Sequence, residues 1–152
     1  MKSWLSFFVV PILAVLSCGA GDSPDLKKEK FNLGPWEDEI GYAQAVRVGN
    51  TLYISGSTGG GDMPAAIAGA YETIQRTLAA HHLTFRHVVK ENVFTTDLEA
   101  LKANKEVRRR FYGTDFPAAS WAQVQRLFEP EYVIEVEIVA CFPDDIPAPS
   151  PR

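Results

Sequence analysis

Tyr132-Val133-Ile134-Glu135-Val136-Glu137-Ile138-Val139-Ala140-Cys141 is the stretch on which the fold turns. Its character alternates residue by residue, the period of a β-strand. Ile134, Val136, Ile138 and Ala140 share one face, and Val133, Glu135, Glu137 and Val139 share the other. One face is ready for a core, while the other sets two carboxylates among apolar neighbours. A second informative stretch lies just upstream, where Phe116-Pro117-Ala118-Ala119-Ser120 turns into a strand expected over Ser120 to Leu127.

Moving outward, Val88 to Thr95 is β-branched and aromatic, which predicts a strand. Asp97 is placed to cap a following helix that turns Leu98, Leu101, Val107 and Phe111 inward and stops at Gly113. An earlier helix starts after Asp62, with Pro64 suiting its first turn, and ends near His81-His82. Ile67, Tyr71, Ile74 and Leu78 in it follow the spacing of one helical face. Tyr42 to Val48 and Thr51 to Ser55 read as strands joined by a Gly49-Asn50 hairpin turn, because both turn residues tolerate positive φ. Gly56 to Gly61 reads as a loop. The order is ββαβαββ, an α+β domain with both helices on one face of a single sheet. Helices on one side leave the face of Glu135 and Glu137 bare. A face of mixed character in so small a domain calls for a partner subunit.

The chain has 152 residues, enough for one domain, with 46% hydrophobic and 22% charged residues and a net charge of −4. That is ordinary for a globular core and gives no basic footprint for nucleic acid. Lys2 precedes an uncharged apolar run, Trp4 to Leu16, which is short for a bilayer span and reads as a targeting segment. The run ends in Val15-Leu16-Ser17-Cys18-Gly19, which resembles a bacterial lipobox. That resemblance implies acylation of Cys18 after removal of residues 1–17; the alternatives are an ordinary signal peptide cut near Ala20 or an uncleaved anchor. Lipidation implies an exported protein at the periplasmic face of a bacterial membrane, with Gly19 favouring the outer one. Residues 18–34 read as a polar tether and 143–152 as a Pro-rich flexible tail. The domain is expected over 35–142. With Cys18 acylated, Cys141 has no intrachain partner and reads as a small buried apolar group.

Several motifs in one order resemble the reactive-intermediate deaminase family (RidA, also called YjgF-like), from Ile40 to Ala140. Ile40-Gly41-Tyr42-Ala43-Gln44-Ala45-Val46 is similar to its opening, Leu52-Tyr53-Ile54-Ser55-Gly56 to its second strand, and Asp97-Leu98 with Asn104 to its second-helix start. Phe116-Pro117-Ala118 leads to the position of the family's substrate arginine, and Glu135 matches its water-activating glutamate. The resemblance implies a chorismate-mutase-like trimer with ligand clefts between subunits, no metal or other cofactor, and hydrolysis of a 2-imino acid to a keto acid and ammonia. It also implies that Tyr42, Ser55, Gly56 and Asn104 bind substrate. The chain departs from the pattern at Ala119, where the arginine is lost, and in the loop through Gly59-Gly60-Gly61, which looks short.

Holding a carboxylate suits a fixed guanidinium, and hydrogen bonds to charged groups are worth about 1.5–3 kcal/mol each. Losing one such clamp weakens productive binding by roughly a hundredfold. Alanine supplies nothing in return. An exported protein also stands apart from the cytoplasmic enzymes that release amino-acid imines. The expectation is therefore a small-molecule binding protein with weak or altered imine or enamine deamination. The alternatives are a hydrolase acting on a substrate without a carboxylate, and a non-catalytic interaction module.

Other residues carry plainer readings. His81, His82 and His87 lack companions at metal-ligand spacing. Arg108-Arg109-Arg110 reads as a solvated helix face. Arg126, an odd number of positions from Ala119, is expected to point away from it. Trp121 has the bulk to fill space left by the arginine.

Overall fold

The computed structural model describes residues 25–143. The expected targeting segment, Cys18 and nearly all of the Pro-rich tail lie outside the described residues. Six strands, β1 (Glu29–Phe31), β2 (Ala45–Val48), β3 (Thr51–Gly60), β4 (Val88–Thr95), β5 (Ala118–Gln123) and β6 (Tyr132–Cys141), form one sheet in the order β1-β2-β3-β6-β4-β5. The helices are α1 (Trp36–Ile40), α2 (Met63–Ala80), α3 (Leu98–Ala103) and α4 (Lys105–Tyr112). This is a single mixed sheet with α-helices packed on it, the arrangement that the resemblance implied.

The alternation in β6 sets the architecture. β6 runs antiparallel between β3 and β4, so both of its edges are paired. Ile134, Val136, Ile138 and Ala140 are all at most 2% exposed and meet Ile67, Tyr71, Ile74 and Leu78 of α2 in one core. Burying each such aliphatic side chain is worth roughly 1.5–3 kcal/mol. α2, α3 and α4 cover this face, as expected, whereas the short α1 lies at the opposite one, where Trp36 and Ile40 border Glu135. β4 and β5 are parallel, so the chain must cross over between them, and α3 and α4 make that crossover.

Five local readings are revised. The end of the polar stretch forms an edge strand: Glu29, Lys30 and Phe31 pair with Arg47, Val46 and Ala45. Tyr42 precedes β2 instead of belonging to it. Gly56 to Gly60 is strand, not loop, because β6 extends far enough to pair Ser57, Thr58 and Gly59 with Val136, Glu135 and Ile134. The second helix breaks at Asn104, whose side-chain amide donates to the Ala100 carbonyl at 2.9 Å. Short polar side chains compete with the helical backbone in this way. β5 ends at Gln123, short of Leu127.

Two capping expectations divide. The Asp97 carboxylate accepts from the Ala100 N–H at 2.9 Å, whereas Asp62 holds the cap position of α2 without a side-chain bond. The Gly49-Asn50 turn joins β2 to β3 with Gly49 at φ +57°.

Candidate active site

A cavity of about 520 Å³ opens beside Glu135. Tyr42, Ser55, Gly56 and Glu135, four of the residues singled out from sequence, line it together. Trp36, Ile40, Phe128 and Tyr132 give it an apolar wall, and Thr58 and Glu129 complete the lining.

A β-bulge builds its floor. Ile54 pairs with Ile138 and Ser57 pairs with Val136, so β3 holds one residue more than β6 between them. The surplus falls at Ser55-Gly56, and bulges of this kind re-aim side chains beside sites. Gly56 is required there: a Cβ would lie 1.8 Å from Glu135 Oε1. Any side chain at position 56 would evict the carboxylate. Ser55 is anchored, its hydroxyl donating to the Ala43 carbonyl at 2.7 Å. Its proton is thus committed, and Ser55 meets a ligand as an acceptor.

α1 supplies Trp36 and Ile40. The carboxylate of Glu37, fully buried, receives the N–H groups of Leu33 at 2.9 Å and Gly34 at 2.7 Å. That clamp ties the preceding turn onto a helix too short to stand alone. Gly41, at φ +95°, ends α1 in the left-handed region and releases the chain toward Tyr42. Trp36 and Tyr42 meet edge to face at 5.7 Å.

Glu135 accepts no hydrogen bond from a described residue. Burial, and then the neighbouring charge of Glu137, push its carboxyl above the ordinary glutamate value. Glu137, opposite the bulge, accepts from the Asn92 amide at 2.7 Å. Burial likewise raises the Tyr42 phenol, with Glu37, Tyr132 and Glu135 adding to the effect. The site therefore combines a poised carboxylate, a protonated phenol and an apolar wall, which suits placing and deprotonating a water.

Asn104 and Ala119 do not join this cavity. Asn104 caps α3. Ala119 pairs with Glu91 on β4, which in turn pairs with Ile138, so all three share the helix-covered face. Glu135 faces the other way. Trp121 shares Ala119's face, and its indole N–H donates to Glu91 Oε1 at 3.4 Å. Arg126 lies beyond β5 and donates to the Phe128 carbonyl at 3.2 Å. No lysine, arginine or histidine is among the cavity's described lining residues.

The reading of Arg108-Arg109-Arg110 is corrected at its first member. Arg108 is buried, and its Nε sits 2.8 Å from Oε1 of Glu91, which is 0% exposed. The hydroxyls of Tyr71 and Tyr112 donate to Oε2 of the same carboxylate at 2.8 and 2.7 Å. Burial opposes the guanidinium charge, but Glu91 and the two tyrosines outweigh it and hold the Arg108 pKa above its ordinary value. Burial and then Glu91 drive both phenols far above theirs. Sequence reasoning missed Glu91 altogether. The one available sign was a glutamate inside the apolar run Val88–Thr95.

Residues 37–142 match the protein family described as Endoribonuclease L-PSP. The chain is 34% identical over 109 residues to the RutC family protein UK114 of Drosophila melanogaster, spanning 65% of this chain and 78% of that one. It is 31% identical over 108 residues to the 2-iminobutanoate/2-iminopropanoate deaminase of Homo sapiens, again 65% and 78%. Among solved structures, Rv2704 of Mycobacterium tuberculosis, a member of the YjgF/YER057c/UK114 family, superposes with a TM-score of 0.70 at 28% identity, over 76% of this chain and all of that one.

Proposed function

Because the chain belongs to the RidA (YjgF-like) family, we propose that it is a small-molecule-binding relative of the imine deaminases whose hydrolysis, run from Glu135, is weak or altered. The observation that carries this reading is the shared cavity of Tyr42, Ser55, Gly56 and Glu135 with no cation in its described lining. Glu135 takes a proton from water as the oxygen attacks the imine carbon. Protonated Glu135 returns that proton to the nitrogen. The hydroxyl proton of the resulting carbinolamine then passes by way of Glu135 to the nitrogen as the carbon–nitrogen bond breaks. One imine and one water thus leave as one carbonyl compound and one ammonia. A raised carboxyl pKa suits both halves of that transfer.

The protein acts as a homotrimer in this reading. Support comes from the sheet face turned away from α2, α3 and α4, where Tyr53 is about half exposed, and from the placement of Glu135 and Ala119 on opposite faces. Residues so divided meet only across a subunit contact. The reading also places the protein outside the cytoplasm, held to a membrane through Cys18. Replacement Cys18→Ser is then expected to release it from membranes.

Purified protein and freshly generated 2-iminobutanoate test the catalytic part. We expect keto-acid release faster than that of Glu135→Ala, and a further rise of tenfold or more for Ala119→Arg, on the order of one charge-assisted hydrogen bond. Equal rates for the wild type and Glu135→Ala would remove Glu135 from the chemistry.

A further inference from the structure

We propose that the cavity beside Glu135 selects a small organic cation: an ammonium or iminium group on an apolar or aromatic body, without a carboxylate. The inference rests on the small-molecule reading above and names its ligand class.

The lining divides into two chemistries. Trp36, Tyr42, Phe128 and Tyr132 present aromatic rings, with Ile40 beside them. Glu129 and Glu135 are the charged lining residues, and both are acidic. Ring faces attract cations, and more strongly where the site is desolvated. Carboxylates attract cations as well. An anionic ligand meets two like charges here and no basic lining side chain to offset them. Arg126 reaches the Phe128 carbonyl at 3.2 Å but is not among the lining residues, and Arg108 is held to Glu91 on the far face of the sheet.

The wall is also accessible. Trp36, Ile40 and Phe128 are 47%, 56% and 68% exposed, high for side chains of their size. These three gather at one opening, which marks a binding surface more than scattered exposure would. Trp36 and Tyr42 form a fixed aromatic corner through their edge-to-face contact. Ser55 has its proton committed to Ala43, so near Glu135 the cavity offers acceptors to the N–H groups of a ligand. Glu135 brings lone pairs that no described residue occupies. An iminium places its charge on the nitrogen that hydrolysis must release, so the recognition sits at the reacting atom. The balance is one iminium and one water giving one carbonyl compound and one ammonium ion.

The test is calorimetric titration of the full chain with benzyltrimethylammonium and, separately, with phenylacetate. The ammonium is expected to bind at least tenfold more tightly, and Glu135→Gln and Trp36→Leu are each expected to weaken it by about tenfold. Circular dichroism of each variant confirms folding. Phenylacetate binding as tightly as the ammonium would overturn the inference, as would unchanged ammonium affinity in folded Glu135→Gln. The two readings fail separately. Ammonium binding without turnover of any imine retains this inference and defeats the catalytic one. Turnover of 2-iminobutanoate by a protein that ignores the ammonium does the reverse.

Discussion

Glu91, on the helix-covered face of β4, receives hydrogen bonds from Tyr71, Tyr112, Arg108 and Trp121. Glu135, on the bare face of β6, receives none from a described residue. The two carboxylates lie on adjacent strands, with Phe94, three residues after Glu91, paired to Glu135. A carboxylate has about four lone-pair sites, and at Glu91 each oxygen already has two donors. It can therefore be fully buried beside its cation without an unpaired charge. Glu135 keeps its acceptor capacity free and lies at the floor of a cavity. The difference between them shows how one sheet separates roles: a saturated carboxylate pins helices, and an unsaturated, half-buried one is left for chemistry.

Removing a partner from the saturated site should have the largest effect. Glu91→Ala leaves the Arg108 charge and two phenols without their acceptor, and Arg108→Ala leaves the Glu91 carboxylate without its cation. Breaking one side of a buried pair costs about 3–5 kcal/mol. Urea denaturation should show a loss of that size for either variant. A loss below 1 kcal/mol would mean that the network is not what fixes α2 and α4 against β4.

The two close-packed glycines of β3 should come next, and they sharpen the contrast. A Cβ on Gly59 would lie 2.0 Å from the Ala66 carbonyl oxygen of α2, a backbone atom that cannot step aside. Gly59→Ala is expected to cost about 1–3 kcal/mol, as overpacking does. A Cβ on Gly56 meets the Glu135 side chain, which can swing away. Gly56→Ala should therefore cost less stability yet abolish whatever depends on Glu135. Thermal unfolding together with imine turnover separates the two outcomes.

The smallest effect should be at Glu135 itself. Its carboxyl is raised above the ordinary value, so the ionised form is disfavoured in the folded state. That penalty is absent below the unfolded pKa, about 4.3 for glutamate, and grows as pH rises through the folded value. Glu135→Gln removes it. The variant should melt slightly higher than the wild type at pH 7, and the gap should close below about pH 4. A lower melting temperature at pH 7 would show that the carboxylate has stabilising partners after all.

Much of this fold could be read from one dimension. The alternation of β6 and the α2 face of Ile67, Tyr71, Ile74 and Leu78 are periodic, and periodicity survives without knowledge of partners. The Gly49-Asn50 hairpin and the Asp97 cap rest on local chemistry and could be read for the same reason. Four of the ten lining residues came with them, Tyr42 together with Ser55, Gly56 and Glu135 on neighbouring strands. What could not be read was set by partners distant in the chain. Three consecutive arginines look alike in sequence, yet Arg108 alone faces Glu91, 17 residues away. Gly56 to Gly60 has loop composition and becomes strand because β6 supplies hydrogen bonds. Asn104 and Ala119 could be aligned with a pattern, but only the sheet register showed that Ala119 faces away from Glu135.

By itself, then, the amino-acid order determined five of the six strands and the long helix α2, the apolar faces, the absence of a guanidinium at position 119, and the candidacy of Glu135. Those are properties of spacing and residue type, which each segment carries with it. Tertiary structure alone decided which carboxylate is saturated, where the bulge turns Ser55 and Gly56, and which aromatics wall the cavity. These depend on atoms brought within hydrogen-bond and van der Waals range from far along the chain, and no local pattern encodes that proximity.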